Sequence, residues 1–244
     1  MKVFVLIVFL WGCCLAQDAL TPFAAGVSGS MATEGPSGFY STPARTGEPS
    51  IFMSCEVLYG REELGCGGGG EFLVHHQRIS FFGLYHQMDS LYHQVYSELE
   101  GSYRWKFLVA GGAYGYSMEW STGLAQWSRH RYKGGISLIF GDAYVGAMML
   151  GWLSPFEKTW GGVLGGGVKL SGLGLAYGQW DGSSVILGNR ISWKFLTLDT
   201  SYQFPNFGVG IRVNLSLGKW SPSGTYGFSS GKWSWFGFGG VRKI

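Results

Sequence analysis

The stretch that decides the fold runs from Phe207 to Leu217 and reads FGVGIRVNLSL. Its odd-numbered positions are all apolar, whereas its even-numbered positions hold glycine, arginine, asparagine or serine. Successive side chains of a β-strand point to opposite faces, so this stretch has one apolar wall and one polar wall. Its length fits a tilted strand that crosses a bilayer, which needs about 9–11 residues.

Segments near 95–103, 131–140, 173–178 and 196–202 alternate in a similar way. In the third of them the alternation assigns Leu175 and Tyr177 to the apolar wall. Many polar-wall positions are glycine, serine or alanine, which suits a narrow barrel interior. The predicted strands are 50–58, 71–86, 93–103, 104–117, 131–141, 143–153, 160–170, 172–180, 183–191, 193–203, 206–218 and 231–242, with a turn at Ser221 to Gly224 among the clearest.

The predicted fold is therefore all-β: an antiparallel transmembrane β-barrel over residues 50–244. We expect about twelve strands, in a range of roughly ten to fourteen, and an even number if both termini face the periplasm. One segment leaves a choice open, because Leu91, Val95 and Leu99 also fit the spacing of an amphipathic helix over 87–103. We prefer a strand there.

Composition supports a membrane barrel. Charged residues make up only 14% of the chain, against the usual quarter or so, while aromatic residues reach 17% and glycine numbers 42. A soluble protein with so few charges would be hard to keep hydrated, whereas a barrel exposes an apolar band to lipid. After the N-terminus, no segment approaches the roughly 18 apolar residues of a membrane-spanning helix. The net charge of +3 and the absence of a basic block argue against nucleic-acid binding.

The first residues have the pattern of a secretory signal peptide. Lys2 precedes an apolar run from Val3 to Trp11, and small residues follow up to Ala16. We predict residues 1–16 to be the signal, with cleavage after Ala16. A lipoprotein signal with Cys13 or Cys14 acylated is the alternative.

Tryptophans gather near the ends of the predicted strands. This placement is typical of the two aromatic girdles at the membrane interfaces, where the ring is in apolar surroundings and its N–H is hydrated. Aromatic residues that fill the core of a soluble sandwich are the alternative. The tryptophans concerned are Trp105, Trp120, Trp127, Trp152, Trp160, Trp180, Trp193, Trp220 and Trp233.

Two cysteines, Cys55 and Cys66, remain after the signal. They lie symmetrically about Gly60 and Arg61, so a tight hairpin there would place them opposite each other. In an oxidising compartment they could form a cross-strand disulfide. The alternative is two unpaired thiols, with Cys66 in a flexible loop formed by Gly67 to Gly70.

Between the signal and the first strand, residues 25–45 read AGVSGSMATEGPSGFYSTPAR. This segment resembles the opening of PorV/PorQ-type proteins in the broad FadL-like group of outer membrane barrels; Thr42 and Arg45 stand where that group has asparagine and glycine. The resemblance implies a bacterial outer membrane protein in which residues 17–49 fold as a plug inside the periplasmic end of the barrel. A disordered leader is the alternative. The residues that carry the predicted plug motif are Gly26, Gly29, Phe39, Tyr40, Pro43 and Ala44.

The sequence offers no enzyme site. His75 and His76 point to opposite faces of a strand, so they cannot share a metal ion there. His86 and His93 could approach across a turn, but we interpret them as solvated histidines at a loop rim. We therefore predict no metal site and no cofactor. Glu98 and Glu100 share a face with Arg104, without a positioned nucleophile, and are expected to belong to a charge network inside the barrel. The predicted lumen charges are Glu98, Glu100, Arg104, Arg131, Lys133 and Arg212.

Two functions remain. One is a barrel with a narrow or plugged lumen and a role in secretion or assembly, as the PorV/PorQ resemblance implies, with secreted or periplasmic proteins as partners. The other is a passive pore for small or hydrophobic solutes that the N-terminal segment gates. Both predict outer-membrane lipid and the barrel-insertion machinery as partners. A soluble lipocalin-like barrel is a third alternative.

Overall fold

The structure is a computed structural model that describes residues 49–59, 63–88, 91–123, 126–171, 174–180, 182–205, 208–229 and 233–244. Residues 1–48 lie outside the described residues. They hold the predicted signal peptide and the plug motif with Gly26, Gly29, Phe39, Tyr40, Pro43 and Ala44.

The described residues form one closed antiparallel barrel, in which each strand pairs with its neighbours in sequence and β1 pairs with β14. The fourteen strands are Ser50–Tyr59 (β1), Glu63–Val74 (β2), Gln77–Met88 (β3), Tyr92–Trp105 (β4), Leu108–Ser121 (β5), Trp127–Phe140 (β6), Ala143–Leu153 (β7), Lys158–Leu170 (β8), Gly174–Trp180 (β9), Val185–Trp193 (β10), Leu196–Phe204 (β11), Gly208–Leu215 (β12), Trp220–Ser229 (β13) and Trp233–Lys243 (β14).

The all-β barrel predicted from the alternation is confirmed, and residues 87–88 and 92–103 belong to strands rather than to a helix. Among the described residues, no helix is long and apolar enough to cross a membrane. We call the end of the barrel that holds Ser50 and Lys243 the terminal end, and the opposite end the distal end. The connections between strands are two to four residues long at the terminal end and three to five at the distal end.

The barrel has two strands more than the twelve expected, at the upper limit of the range. The predicted strand 71–86 is in fact parts of β2 and β3, which turn at His75 and His76. This turn has no glycine or proline to mark it, and His75 takes a positive φ of 59° that glycine usually supplies. The second missed strand is β13, where the residues from Ser221 to Gly224 were taken for a turn.

Gly67 to Gly70 lie inside β2 rather than in a loop. A Cβ at Gly69 would lie 2.1 Å from the carbonyl oxygen of Phe81 and 2.8 Å from the Phe52 ring. The missing side chains therefore let the Phe52 and Phe82 rings stack with their centroids 6.1 Å apart. Gly69 is therefore a packing feature of the inner wall.

The assignment of β9 side chains to the two walls is also corrected. Gln179 is buried on the inner wall, and Tyr177 shares its face and donates a hydrogen bond to the Thr200 carbonyl oxygen at 3.3 Å. Tyr177 therefore faces the lumen instead of the lipid. A tyrosine fits either wall, so alternation in a short strand of seven residues could not decide its side.

A tyrosine on the inner wall of β4 closes over a glycine of β5. A Cβ at Gly115 would lie 2.2 Å from the Tyr96 hydroxyl oxygen and 2.7 Å from the adjacent ring carbon. We expect Gly115→Ala to displace this buried ring and to lower the free energy of unfolding by about 1–3 kcal/mol. The measurement is urea unfolding of the barrel in lipid vesicles.

Gly112→Ala, on the same strand, is the matched control. Its added Cβ would lie 3.6 Å from the Lys133 carbonyl oxygen, an ordinary contact. Equal stability losses in the two variants would contradict a specific role for the Tyr96–Gly115 contact.

Candidate functional site: the two walls of the barrel

The outer wall is apolar around the ring. Large hydrophobic side chains point outwards and are exposed on almost every strand, among them Leu99 at 60% and Met149 at 63%. On β12 the outward residues Ile211, Val213 and Leu215 alternate with buried Arg212, as the opening sequence stretch predicts. Exposed apolar surface of this extent is costly in water, so this wall is suited to lipid.

Aromatic side chains surround the outer wall near both ends. At the distal end, His93 stacks on Trp120 with ring centroids 5.4 Å apart and lies 2.8 Å from the Tyr85 hydroxyl. Near the terminal end, Trp105 and Trp193 are outward and exposed. Among the side chains that the structure describes, Trp160, Trp180 and Trp220 also point outwards and are exposed.

Two tryptophans assigned to the girdles face inwards instead. The Trp127 indole N–H donates to Glu119 at 2.7 Å, and the Arg131 guanidinium lies 4.8 Å from the centre of the Trp152 ring. Both rings therefore belong to the charged inner wall. A tryptophan close to a strand end suits either wall, because its indole N–H can reach headgroups or an inward carboxylate.

The inner wall of β2 to β6 carries a network of buried charges centred on Glu100. Glu100 accepts hydrogen bonds from Arg78 at 3.0 Å and from Lys133 at 2.9 Å. Arg78 also donates to Glu71 at 3.0 Å, while Lys133 makes a second ion pair with Glu98. Strand pairing sets these residues side by side: Glu71 lies opposite Ser80, and Ser80 lies opposite Glu100.

The network continues towards the distal end. Glu98 accepts a short hydrogen bond from the Tyr96 hydroxyl and lies 4.0 Å from Arg131. Nearer the distal end of the same strands, Glu119 accepts a hydrogen bond from Gln94 at 3.0 Å and lies 3.6 Å from Arg129. The inner wall of this side therefore carries both signs of charge from one end of the barrel to the other.

A second network lies on β10 to β12. The carboxylate of buried Asp199 accepts a hydrogen bond from Arg190 at 2.6 Å and one from Asn214 at 3.4 Å. Arg212 is the strand partner of Asp199 and donates to Asn214 at 2.7 Å. This network combines one acidic side chain with two basic ones.

Many inner-wall side chains are shielded from water in this structure. Side chains of Glu98, Arg131 and Lys133 have 0% relative exposure. Inward apolar residues are shielded as well, with Phe52 at 2% and Ile186 at 1%. These inner-wall side chains therefore pack against one another and not against open solvent.

Five of the six predicted lumen charges lie on the inner wall: Glu98, Glu100, Arg131, Lys133 and Arg212. Arg104 has the same strand parity but is exposed at the terminal end, where it donates to the Lys106 carbonyl oxygen at 3.2 Å. The network residues missed by the sequence analysis are Glu71, Arg78, Glu119, Arg129, Arg190 and Asp199. Arg78 was hidden because its strand carries large apolar residues on both faces, as Phe81 outside and Phe82 inside show.

Cys55 and Cys66 are directly opposed in the β1–β2 pairing, and the structure joins them in a disulfide. The bond closes a loop of 11 residues next to the seam where β1 meets β14. We expect the double change Cys55→Ser and Cys66→Ser to lower the free energy of unfolding by about 2–3 kcal/mol, because the unfolded chain regains its freedom.

The measurement is urea unfolding of the oxidised protein and the double serine variant, each with and without a reductant. Reduction should lower the midpoint of the oxidised protein only. A reductant effect of the same size in the serine variant would contradict the assignment of stability to this bond.

The histidines do not converge. His86 faces inwards, 3.7 Å from Glu63, whereas His93 lies on the outer wall, so the two cannot meet across the β3–β4 turn. His75 and His76 lie in the β2–β3 connection at the terminal end. Within the described ranges, no group of three or more histidine, cysteine, aspartate or glutamate side chains is placed to hold a metal ion.

Comparisons with known proteins give similarity of fold only. No family model matches the chain, and no curated protein is similar to it. Among solved structures, a triple mutant of a porin from Rhodopseudomonas blastica is 8% identical, with a TM-score of 0.47; the match covers 81% of this chain and 99% of that one. A KdgM porin is 14% identical with a TM-score of 0.44, covering 80% and 99%.

Proposed function

We propose that this chain is an integral protein of a bacterial outer membrane, a gated pore whose lumen is closed at rest. The observation that carries the proposal is the contrast between the two walls: an apolar outer wall around a closed barrel that is charged inside. This is the reverse of a soluble protein, and it is the arrangement that a bilayer requires of a spanning barrel.

The dimensions agree with this proposal. Most strands have at least nine residues, enough to cross the hydrocarbon region when tilted. Eight strands leave a barrel interior that side chains can fill, and 16–18 leave an aqueous channel, so fourteen leave room for small solutes once the interior is opened. Because the first strand begins at Ser50 and the last ends at Lys243, both at the terminal end together with the shortest connections, we place this end in the periplasm.

The inner wall favours small polar solutes over hydrophobic ones. Acidic and basic side chains alternate along β3 to β6, from Arg78 past Glu100 and Lys133 to Glu98 and Arg131. A wall with both signs of charge binds dipolar solutes without strongly favouring anions or cations.

We assign the gate to the N-terminal segment, residues 17–49. Two observations support this assignment. The first strand begins at Ser50 at the terminal end, so the N-terminal segment joins the barrel beside the mouth of the lumen. The motif of this segment resembles that of PorV/PorQ-type barrels, in which the corresponding segment occludes the lumen.

Conductance in planar bilayers tests the proposal. We expect the full chain to be silent for most of the time and a variant that lacks residues 18–47 to form steady channels. A circular dichroism spectrum and heat-modifiable migration of the variant would check that its barrel is intact. Silence of an intact variant would contradict the gated pore.

A secretion- or assembly-associated barrel, with secreted or periplasmic proteins as partners, is the second candidate. The shielding of many inner-wall side chains supports it, because a barrel that only docks other proteins needs no passage. The short connections at both ends oppose it, because they offer little surface to a partner. The conductance experiment separates the two candidates, since a purely docking barrel would stay silent with or without residues 18–47.

A further inference from the structure

Two hairpin turns at the terminal end have the same sequence. Residues 105–108, between β4 and β5, read Trp-Lys-Phe-Leu, and residues 193–196, between β10 and β11, read the same. Six of the fourteen strands separate the two turns, so they lie on nearly opposite sides of the ring.

Both turns put a lysine where the backbone favours glycine. Lys106 has a φ of 53° and Lys194 a φ of 50°, in the left-handed region that L-residues rarely adopt. Gly141 takes a φ of 58° at the same position of the β6–β7 turn. Because glycine would relieve the strain, the lysine side chains point to a function of these turns.

The side chains of each turn combine one cation with two apolar rings. The Lys106 ammonium lies 5.6 Å from the centre of the Trp105 ring, and the Lys194 ammonium lies 5.6 Å from the centre of the Trp193 ring. All four aromatic side chains are exposed: Trp105 and Phe107 in one turn, Trp193 and Phe195 in the other.

The rest of the terminal end has the same character. The Arg242 guanidinium lies 5.2 Å from the centre of the Trp220 ring, which repeats the pairing of cation and ring at the seam. Lys169, near the end of β8, and Lys219, in the β12–β13 connection, add exposed cations, against the exposed acid Asp142 at the β6–β7 turn. An excess of positive charge therefore follows this rim, at the level where the aromatic rings enter lipid.

We propose that this basic aromatic rim binds the phosphate groups of anionic glycerophospholipids in the periplasmic leaflet. The rings of each turn insert beside the acyl chains, and the lysine between them meets the headgroup phosphate. The inference takes membrane embedding from the proposed function and adds the identity of the lipid that the barrel prefers. It does not depend on whether the lumen conducts.

Native mass spectrometry of the full chain in detergent, titrated with phosphatidylglycerol or phosphatidylcholine, measures the preference. The full chain should bind phosphatidylglycerol more tightly. Changing Lys106 and Lys194 to glutamine should weaken that binding by roughly fivefold per lysine and weaken phosphatidylcholine binding less, because the choline cation offsets the phosphate charge of that lipid. Unchanged binding of phosphatidylglycerol would overturn the proposal.

Two further variants separate function from folding. Lys106→Gly with Lys194→Gly should raise the urea midpoint, because the strain is relieved, yet lower phosphatidylglycerol binding as the glutamine variant does. Lys158→Gln, at the distal end, is the matched control and should bind like the full chain. An equal loss with Lys158→Gln would contradict a site at the terminal rim.

Free glycerol phosphate distinguishes a lipid site from a simple phosphate site. At a concentration equal to that of the lipid it should not displace phosphatidylglycerol, because it lacks acyl chains for the rings to contact. Displacement would contradict the proposed lipid site.

Discussion

Replacing Lys133 by methionine is expected to destabilise the barrel by about 3–5 kcal/mol, because it removes the cation that two buried carboxylates share. Lys133 makes ion pairs with both Glu98 and Glu100, and all three side chains have 0% relative exposure. Methionine has a similar length, so the loss of charge dominates the effect. The measurement is urea unfolding in vesicles, followed by tryptophan fluorescence.

A second change tests whether the loss arises from the ion pair. Adding Glu98→Gln to Lys133→Met removes one of the two buried carboxylates that lost this cation and should restore a large part of the stability. Lys158→Met, at the exposed start of β8, is the control and should change stability by less than about 0.5 kcal/mol. If Glu98→Gln brought no recovery, the ion-pair network would not be the source of the loss.

The second large effect is expected on the outer wall. Met149 lies in the middle of β7 with 63% relative exposure, and its strand partners are Gly134 and Gly162. Because the neighbours have no side chains, arginine fits there without a clash. In a bilayer, Met149→Arg should nevertheless cost about 2–4 kcal/mol, since the guanidinium enters hydrocarbon.

A position outside the middle of the bilayer is the control for this prediction. Phe156 lies in the β7–β8 connection at the distal end and is 83% exposed. Phe156→Arg should therefore cost no more than about 1 kcal/mol in the same vesicles. Equal costs at the two positions would mean that the middle of the outer wall does not lie in hydrocarbon.

Much of the fold could be predicted from the sequence where one wall is purely apolar and the other polar. β12 and β6 are such strands, and their buried Arg212, Arg131 and Lys133 were identified by alternation alone. The prediction failed where both walls are apolar, as on β3, since Phe81 faces outwards and Phe82 inwards. Alternation therefore did not identify Arg78 as a charge of the inner wall.

Turn and loop signals misled for a different reason. Glycine and proline usually mark connections, yet Gly67 to Gly70 lie in β2 and Pro222 lies in β13. Pro222 pairs with Gly240 of β14, whereas the pairing of β13 with β12 reaches only to Ser223. The missing N–H of Pro222 therefore removes no hydrogen bond on the β12 side. These placements depend on the neighbouring strands, which the local sequence does not reveal.

The central claim is that the outer wall meets lipid while the inner wall does not, and spin labels along β12 test it most directly. Nitroxides attached at single introduced cysteines from Gly208 to Leu215, in vesicles, would be exposed to oxygen dissolved in the bilayer and to a water-soluble nickel chelate. We predict that collisions with oxygen alternate with a period of two and are highest at Val209, Ile211, Val213 and Leu215. Higher accessibility of these odd positions to the nickel chelate than to oxygen would contradict a membrane-spanning barrel.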